Sequence, residues 1–328
     1  MDKLRTAVIG VGNMGKSHAR ILSQISNLVA VADASQERAR EIAELYKCKS
    51  YSDYNKMLEN ENLDYVSIVV PTHLHKKVTI DVVDKKINAL LEKPIATNME
   101  EAREISRAVA KSGVKFTVGH VERFNPAVIK LKEILDNGDL GEILTITARR
   151  VGIAGTPVSY ENIIVDLAIH DIDIINFLLN SKKPDTATGL IGKSAINNRE
   201  DYADIVLKYG NTNAMIQVNW ITPIKIRVLS VNGSKAYAEL NYITQELKLY
   251  KMDYIKEYDS FGKFVLKYSK PDEINIYVEK DEPLKLELKS FLECIKTNKN
   301  PQVTIEQSSN ALEIALKLLK QNGEKEVL

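Results

Sequence analysis

The chain has 328 residues, more than the about 250–300 that one hydrophobic core usually organises, so two domains are expected. Hydrophobic residues make up 44% and charged residues 27%, the proportions of a globular chain, which exclude wholesale disorder. Lysine and arginine number 45 against 44 acidic residues, a formal charge of +1, so a nucleic-acid or membrane-surface role has no electrostatic basis.

Residues 4–120 alternate short β-branched runs with stretches of helical period. The runs are residues 4–9, 28–32, 65–70, 89–91 and 116–118, and the helical stretches between them include 17–25, 36–46 and 99–112. Near-continuous apolar strands separated by helices require a parallel sheet covered on both faces, so this part is expected to be a doubly wound α/β domain. Asn98 before Met99-Glu100-Glu101 caps one helix and Gly113 closes it. Beyond residue 120 the texture changes. Helices are predicted over 125–137 and 166–179, with strands over 144–150, 203–209, 214–220, 226–231 and 236–242. Strands in succession imply a large, mostly antiparallel open sheet. Val231-Asn232-Gly233-Ser234 has the signature of a two-residue type I′ hairpin. Residues 243–283 read as edge strands and loops, and helices near 285–297 and 304–321 end the chain. The expected domains are residues 1–120 and 121–328.

Two cysteines, Cys48 and Cys294, supply neither a disulfide framework nor a thiolate zinc site and fit a reducing, cytoplasmic compartment. No signal core opens the chain, and no apolar run approaches the roughly 18 residues that span a bilayer. No set of ligands has metal spacing, and neither a Walker string nor Gly-x-Ser-x-Gly occurs, so hydrolase and triphosphatase readings start low.

The first strand runs into Gly10-Val11-Gly12-Asn13-Met14-Gly15 and then a helix. Gly10 allows a tight turn, Gly12 lets backbone approach a pyrophosphate, and Gly15 lets helix and strand pack closely. The helix N-terminus at Asn13 and Met14 offers N–H groups to phosphate. The second strand ends at Asp33, where a carboxylate bonds an adenosine ribose and repels a 2′-phosphate. With no arginine at Ala34 or Ser35, NAD is expected over NADP. Pro71-Thr72-His73-Leu74-His75 follows the strongest strand. Thr72 reads as a helix cap, and His75 either faces the nicotinamide ribose or serves helix entry.

Glu92-Lys93-Pro94 stands at the carboxyl end of another strand. Lys93 either holds a substrate hydroxyl and its developing oxyanion or is a surface lysine. Asp166 and His170 are four apart, on one face of a helix. Either His170 takes a hydroxyl proton with Asp166 orienting it, or the two are a capping residue and a core histidine. Asp171 reads as a solvated residue, with Asp173 a weaker candidate beside His170. Arg123, in Gly119-His120-Val121-Glu122-Arg123-Phe124-Asn125-Pro126, either binds a substrate diphosphate or carboxylate or makes a salt bridge between domains.

Together these residues resemble the Gfo/Idh/MocA family of NAD(P)-dependent oxidoreductases over essentially the full length. The resemblance implies a Rossmann domain followed by an α/β domain whose open sheet walls the substrate site. It implies catalysis by Lys93, His170 and Asp166, and substrate contacts from these with Arg123 and Asn125. It implies cofactor contacts from Gly10, Gly12, Asn13, Met14, Gly15, Asp33, Pro71, Thr72, His75, Glu92 and Lys93. Ala168 departs from the glycine that members often carry between the aspartate and histidine. The 119–126 segment is similar to the sugar-nucleotide branch, whose enzymes oxidise the C3 hydroxyl of a UDP-N-acetyl sugar. Inositols, free sugars and a catalytically silent NAD-binding sensor are the alternatives. A homodimer or homotetramer is expected, because the antiparallel sheet has too few helices to cover it.

Overall fold

Alternation of apolar strands and amphipathic helices builds a parallel sheet first. The structure, a computed structural model, describes residues 3–153, 162–180, 182–194, 200–251, 254–258, 264–268 and 270–323. The chain divides into two compact units, Met1–Phe124 with Glu282–Leu328, and Asn125–Asp281. The sequence placed the closing helices in the second domain, whereas they belong to the first unit.

In the first unit the strands are β1 (Arg5–Ile9), β2 (Asn27–Ala32), β3 (Lys49–Tyr51), β4 (Tyr65–Ile68), β5 (Asn88–Glu92) and β6 (Phe116–Gly119). They form one parallel sheet in the order β3-β2-β1-β4-β5-β6. The helices between them are α1 (Asn13–Ile25), α2 (Gln36–Tyr46), α3 (Tyr54–Asn60), α4 (His75–Asp84) and α5 (Met99–Ser112). The order turns back at β1 and β4, the switch point where such sheets bind ligands at their carboxyl ends. Strand β3 escaped sequence reading because as a largely exposed edge strand it carries no apolar run. Asn98 caps α5 by accepting the Glu101 N–H at 3.0 Å, as its sequence predicts.

The closing helices α8 (Pro283–Thr297) and α9 (Ile305–Gln321) complete this unit. Leu284, Leu288, Phe291 and Leu292 of α8 join the core formed by Val8, Ile21, Leu22 and Tyr65. The Phe291 ring meets Tyr65 edge-on at 5.2 Å. That burial outweighs chain order in deciding where α8 belongs.

The second unit contains α6 (Pro126–Asp136), β7 (Ile143–Val151), α7 (Ile169–Leu178), β8 (Thr186–Gly192), β9 (Tyr202–Tyr209) and β10 (Thr212–Asn219). It continues through β11 (Ile226–Gly233), β12 (Ala236–Asn241), β13 (Glu246–Lys251), β14 (Tyr254–Tyr258), β15 (Phe264–Tyr268) and β16 (Asp272–Ile276). Eight strands form a sheet in the order β16-β13-β12-β11-β7-β10-β9-β8, and β14 pairs with β15 separately. Among the described strands of this eight-stranded sheet, only the β7–β10 pair is parallel. Strict burial alternation in β9 leaves one face open, with Leu190, Val206 and Met215 exposed on β8, β9 and β10.

The expected type I′ turn is not formed. Asn232 pairs with Tyr237, so four residues separate the paired positions, and Gly233 stays in β11 beside Ile143. Gly233 is required for another reason: a Cβ there would stand 2.0 Å from the Leu140 carbonyl oxygen. The following N–H groups of Ser234 and Lys235 bond the carbonyls of Glu142 and Leu140. A long-range approach replaced the local turn.

Candidate active site

Beginning at the glycine-rich loop, Gly10 has φ +88°, and a Cβ there would lie 2.2 Å from the Val69 carbonyl oxygen. A Cβ at Gly15 would lie 1.9 Å from the Gly10 carbonyl oxygen, so helix α1 is packed directly on the loop. Gly12 differs: nothing lies within 4 Å of its Cβ position, and it provides no side chain to cap α1. The exposed Asn13 and Met14 begin the helix there. Open space, unshielded helix-start N–H groups and the positive end of the dipole suit a dinucleotide's pyrophosphate.

Asp33 closes this loop. Its Oδ2 accepts the Val11 N–H at 2.9 Å, and its Oδ1 accepts the Ser35 N–H at 2.8 Å. The same Oδ1 accepts from the Arg38 guanidinium at 3.1 Å. Positions 34 and 35 carry no arginine, as read from the sequence, but Arg38 reaches Asp33 from inside the next helix. Ser35 caps α2, which places residue 38 one turn inside the helix and directed back at Asp33. That i, i+5 approach across a cap was the sequence signal available and unused.

Lys93 lies just beyond β5, half-buried, and its peptide bond to Pro94 is cis. Glu92, a candidate cofactor contact, is buried at the end of the same strand. Its Oε1 meets His18 Nε2 at 3.0 Å, and its Oε2 accepts the Lys93 N–H at 3.2 Å. Burial pushes the Glu92 carboxyl up, but the His18 hydrogen bond and charge, with Lys93 beside it, hold it below the usual carboxylate range. His75 is likewise buried: Nδ1 lies 2.7 Å from the Pro94 carbonyl oxygen and Nε2 2.9 Å from that of Val70. Its ring ties two loops together and is shut away from solvent, with both nitrogens facing backbone carbonyls. Pro71 is exposed and Thr72 buried in a short turn, Thr72–Leu74, and α4 starts only at His75. Thr72 therefore does not cap that helix.

In the second unit the residues expected to start a plain α-helix form a π turn, Ile164–Ala168, which continues into α7. The Ile169 N–H reaches the Ile164 carbonyl, the i→i−5 bond of that turn. Such single turns recur at functional sites. From residue 163 to 176 every side chain is buried except Asp166 and His170. Their four-residue spacing thus opens one polar edge on an otherwise enclosed segment. Asp171 is a correction: it is 1% exposed, not solvated. Arg150 of β7 clamps its carboxylate with Nε at 2.7 Å and Nη2 at 3.0 Å, and the guanidinium lies 5.1 Å from the Tyr242 ring centroid. Asp173 is buried as well.

The two further candidate substrate ligands, Arg123 and Asn125, also bond within the protein. Arg123 is 2% exposed, and its Nη1 donates to Gln307 Oε1 of α9 at 2.8 Å. Asn125 caps α6, accepting the Ala127 N–H at 3.1 Å and donating to the Tyr242 carbonyl at 3.1 Å. The cap uses the oxygen of its amide and the Tyr242 contact the nitrogen. Sequence reasoning missed His18 and Ser67, polar residues inside apolar periodic runs, which was the only local signal of their role. No group of three or more possible metal ligands occurs among the described residues, and no helix there is long and apolar enough to cross a membrane.

Residues 4–120 match an oxidoreductase family with an NAD-binding Rossmann fold, and residues 128–239 match the Gfo/Idh/MocA C-terminal domain. UDP-N-acetylglucosamine 3-dehydrogenase of Acidithiobacillus ferrooxidans is 28% identical over 252 residues, 76% of this chain and 78% of that protein. The scyllo-inositol 2-dehydrogenase (NAD(+)) of Bacillus subtilis is 26% identical, covering 96% of this chain and 92% of its own. A solved structure of the A. ferrooxidans enzyme has a TM-score of 0.84 at 24% identity over 97% of each chain. Myo-inositol 2-dehydrogenase from Lactobacillus plantarum gives 0.80 at 22% over 98% of each. At these identities the solved structures establish the fold. With the glycine loop, Asp33 and both matched domains in place, the chain belongs to the Gfo/Idh/MocA family of NAD-binding oxidoreductases.

Proposed function

We propose that the protein oxidises a secondary hydroxyl of a sugar with NAD, acting at C3 of a UDP-N-acetyl sugar. The observation that carries this reading is the polar edge of Asp166 and His170, alone unburied between residues 163 and 176 and built on a π turn. Bound NAD supplies the hydride acceptor. His170 takes the hydroxyl proton, since an imidazole titrates near neutrality (about 6.5), and Asp166 sets its tautomer. Lys93 orients the hydroxyl and stabilises its developing negative charge. The similarity to UDP-N-acetylglucosamine 3-dehydrogenase supports the substrate assignment. Self-association through the open face bearing Leu190, Val206 and Met215 completes the reading.

A second reading, oxidation of a free inositol, is favoured by one observation. Arg123, the basic residue expected to meet a diphosphate, is bonded to Gln307 and buried. UDP-sugars, free sugars and inositols assayed with NAD, following NADH absorbance, separate the two. Positioned proton transfer contributes ~10²–10⁴-fold, so His170→Ala and Lys93→Ala each lose turnover on that scale while NAD binding survives. Turnover only on inositols replaces the sugar-nucleotide substrate; NAD binding without turnover on any of them leaves a silent binding protein.

A further inference from the structure

The Lys93 segment rests on a buried polar chain that the hydride chemistry does not itself use. His18 is fully buried on α1, immediately after the glycine loop. Its Nδ1 lies 2.6 Å from Ser67 Oγ of β4 and its Nε2 lies 3.0 Å from Glu92 Oε1 at the end of β5. Both ring nitrogens therefore have partners inside the sheet. The other Glu92 oxygen accepts the Lys93 N–H at 3.2 Å. Room for this carboxylate is provided by the neighbouring strand: Gly119 pairs with Glu92, and a Cβ there would press on Oε1 at 3.0 Å. A buried carboxylate and imidazole are costly unless bonded, and each here satisfies the other. Lys93 is then held from both sides, by Glu92 at its N–H and, through Pro94, by His75 at the next carbonyl.

We propose that His18 is a positioning residue for Lys93, acting through Glu92, so that the helix carrying the cofactor loop fixes the backbone from which the catalytic lysine projects. Precision of this kind matters because a displacement of about 1 Å at a catalytic group can cost 10²-fold in rate. The inference rests on the role given to Lys93 above, but its first test does not need a substrate.

Hydrogen exchange at the Lys93 amide reads the Glu92 bond directly. His18→Leu removes the ring nitrogens while roughly filling the space, and His18→Gln returns a side-chain N–H. Exchange at Lys93 should quicken at least tenfold in His18→Leu and recover in His18→Gln, while β1 stays within twofold of the wild type. In turnover, His18→Leu should lower kcat by at least tenfold with KM and the NAD dissociation constant within threefold, again recovering in His18→Gln. If His18→Leu does not fold, Ser67→Ala, which strips the ring of its other partner, should produce the same local change more weakly. Unchanged Lys93 exchange in a folded variant overturns the proposal. So does acceleration spread equally over β1, which marks a loss of stability alone. A wild type with no turnover on any sugar or inositol ends the proposed activity, and the exchange experiment still decides the anchoring of Lys93.

Discussion

Exchanging NAD for NADP probes the adenosine end of the cofactor site through Asp33 and Arg38. Asp33 already accepts from Val11, Ser35 and Arg38, which leaves its carboxylate fixed at the end of β2. With Asp33 at the ribose, as its place at the end of β2 implies, NAD would gain a hydrogen bond from its ribose hydroxyl to this carboxylate, whereas NADP would lose it and bring a second anion. A hydrogen bond to a charged group is worth about 1.5–3 kcal/mol, which corresponds to roughly 10–100-fold tighter NAD binding. Arg38 acts in the opposite sense, since it shields Asp33 and offers a cation to the 2′-phosphate. Its side chain is 53% exposed, so only about 0.2–1 kcal/mol is returned, roughly 1.5–5-fold. Calorimetric titration with both cofactors should therefore show a wild-type preference for NAD that Arg38→Ala widens by that factor. Asp33→Ala should bring the two dissociation constants close to parity. An unchanged ratio in Asp33→Ala, or a ratio that narrows in Arg38→Ala, refutes the roles given to these residues.

Gly12→Ala should fold normally, because its Cβ meets nothing, and yet weaken NAD binding; Gly15→Ala should lower the melting temperature, because its Cβ strikes the Gly10 carbonyl. Asp171→Ala should cost about 3–5 kcal/mol in chemical denaturation by leaving Arg150 buried without its carboxylate. Glu61 accepts from Lys49 at 2.7 Å and Tyr51 at 2.6 Å; burial opposes its charge, but these partners and Arg5 hold its carboxyl below the usual range. The unfolded chain then binds the extra proton, so this stabilisation is present above the ordinary carboxylate range and lost as pH falls through the lowered value. Melting curves from pH 7 down to 3 should show a smaller acid loss in Glu61→Gln. Met215→Lys should turn a dimeric or tetrameric mass in light scattering into a monomer, and a monomeric wild type ends that idea.

Local chemistry determined much of the first unit. The α5 helix runs over Met99–Ser112 between its Asn98 cap and Gly113 because both boundaries depend only on neighbouring residues. The glycine loop was legible for the same reason, its strand, turn and helix being contiguous. In the second unit, period-2 alternation marked β9 and β10, and the spacing of Asp166 and His170 marked their shared edge. What sequence could not reach was every feature set by a partner distant along the chain. Asp171 looks exposed until β7 brings Arg150 to it. The Asn232-Gly233 pair looks like a turn until Leu140 approaches and keeps Gly233 in its strand. Helix α8 looks like part of the second domain until its apolar face finds the core beside Tyr65. His18 shows no sign of its role until β4 and β5 place Ser67 and Glu92 at its two nitrogens. Periodicity, caps and turn residues are properties of a few adjacent positions, whereas the pairing of buried charges and the packing of distant faces exist only once the chain has closed on itself.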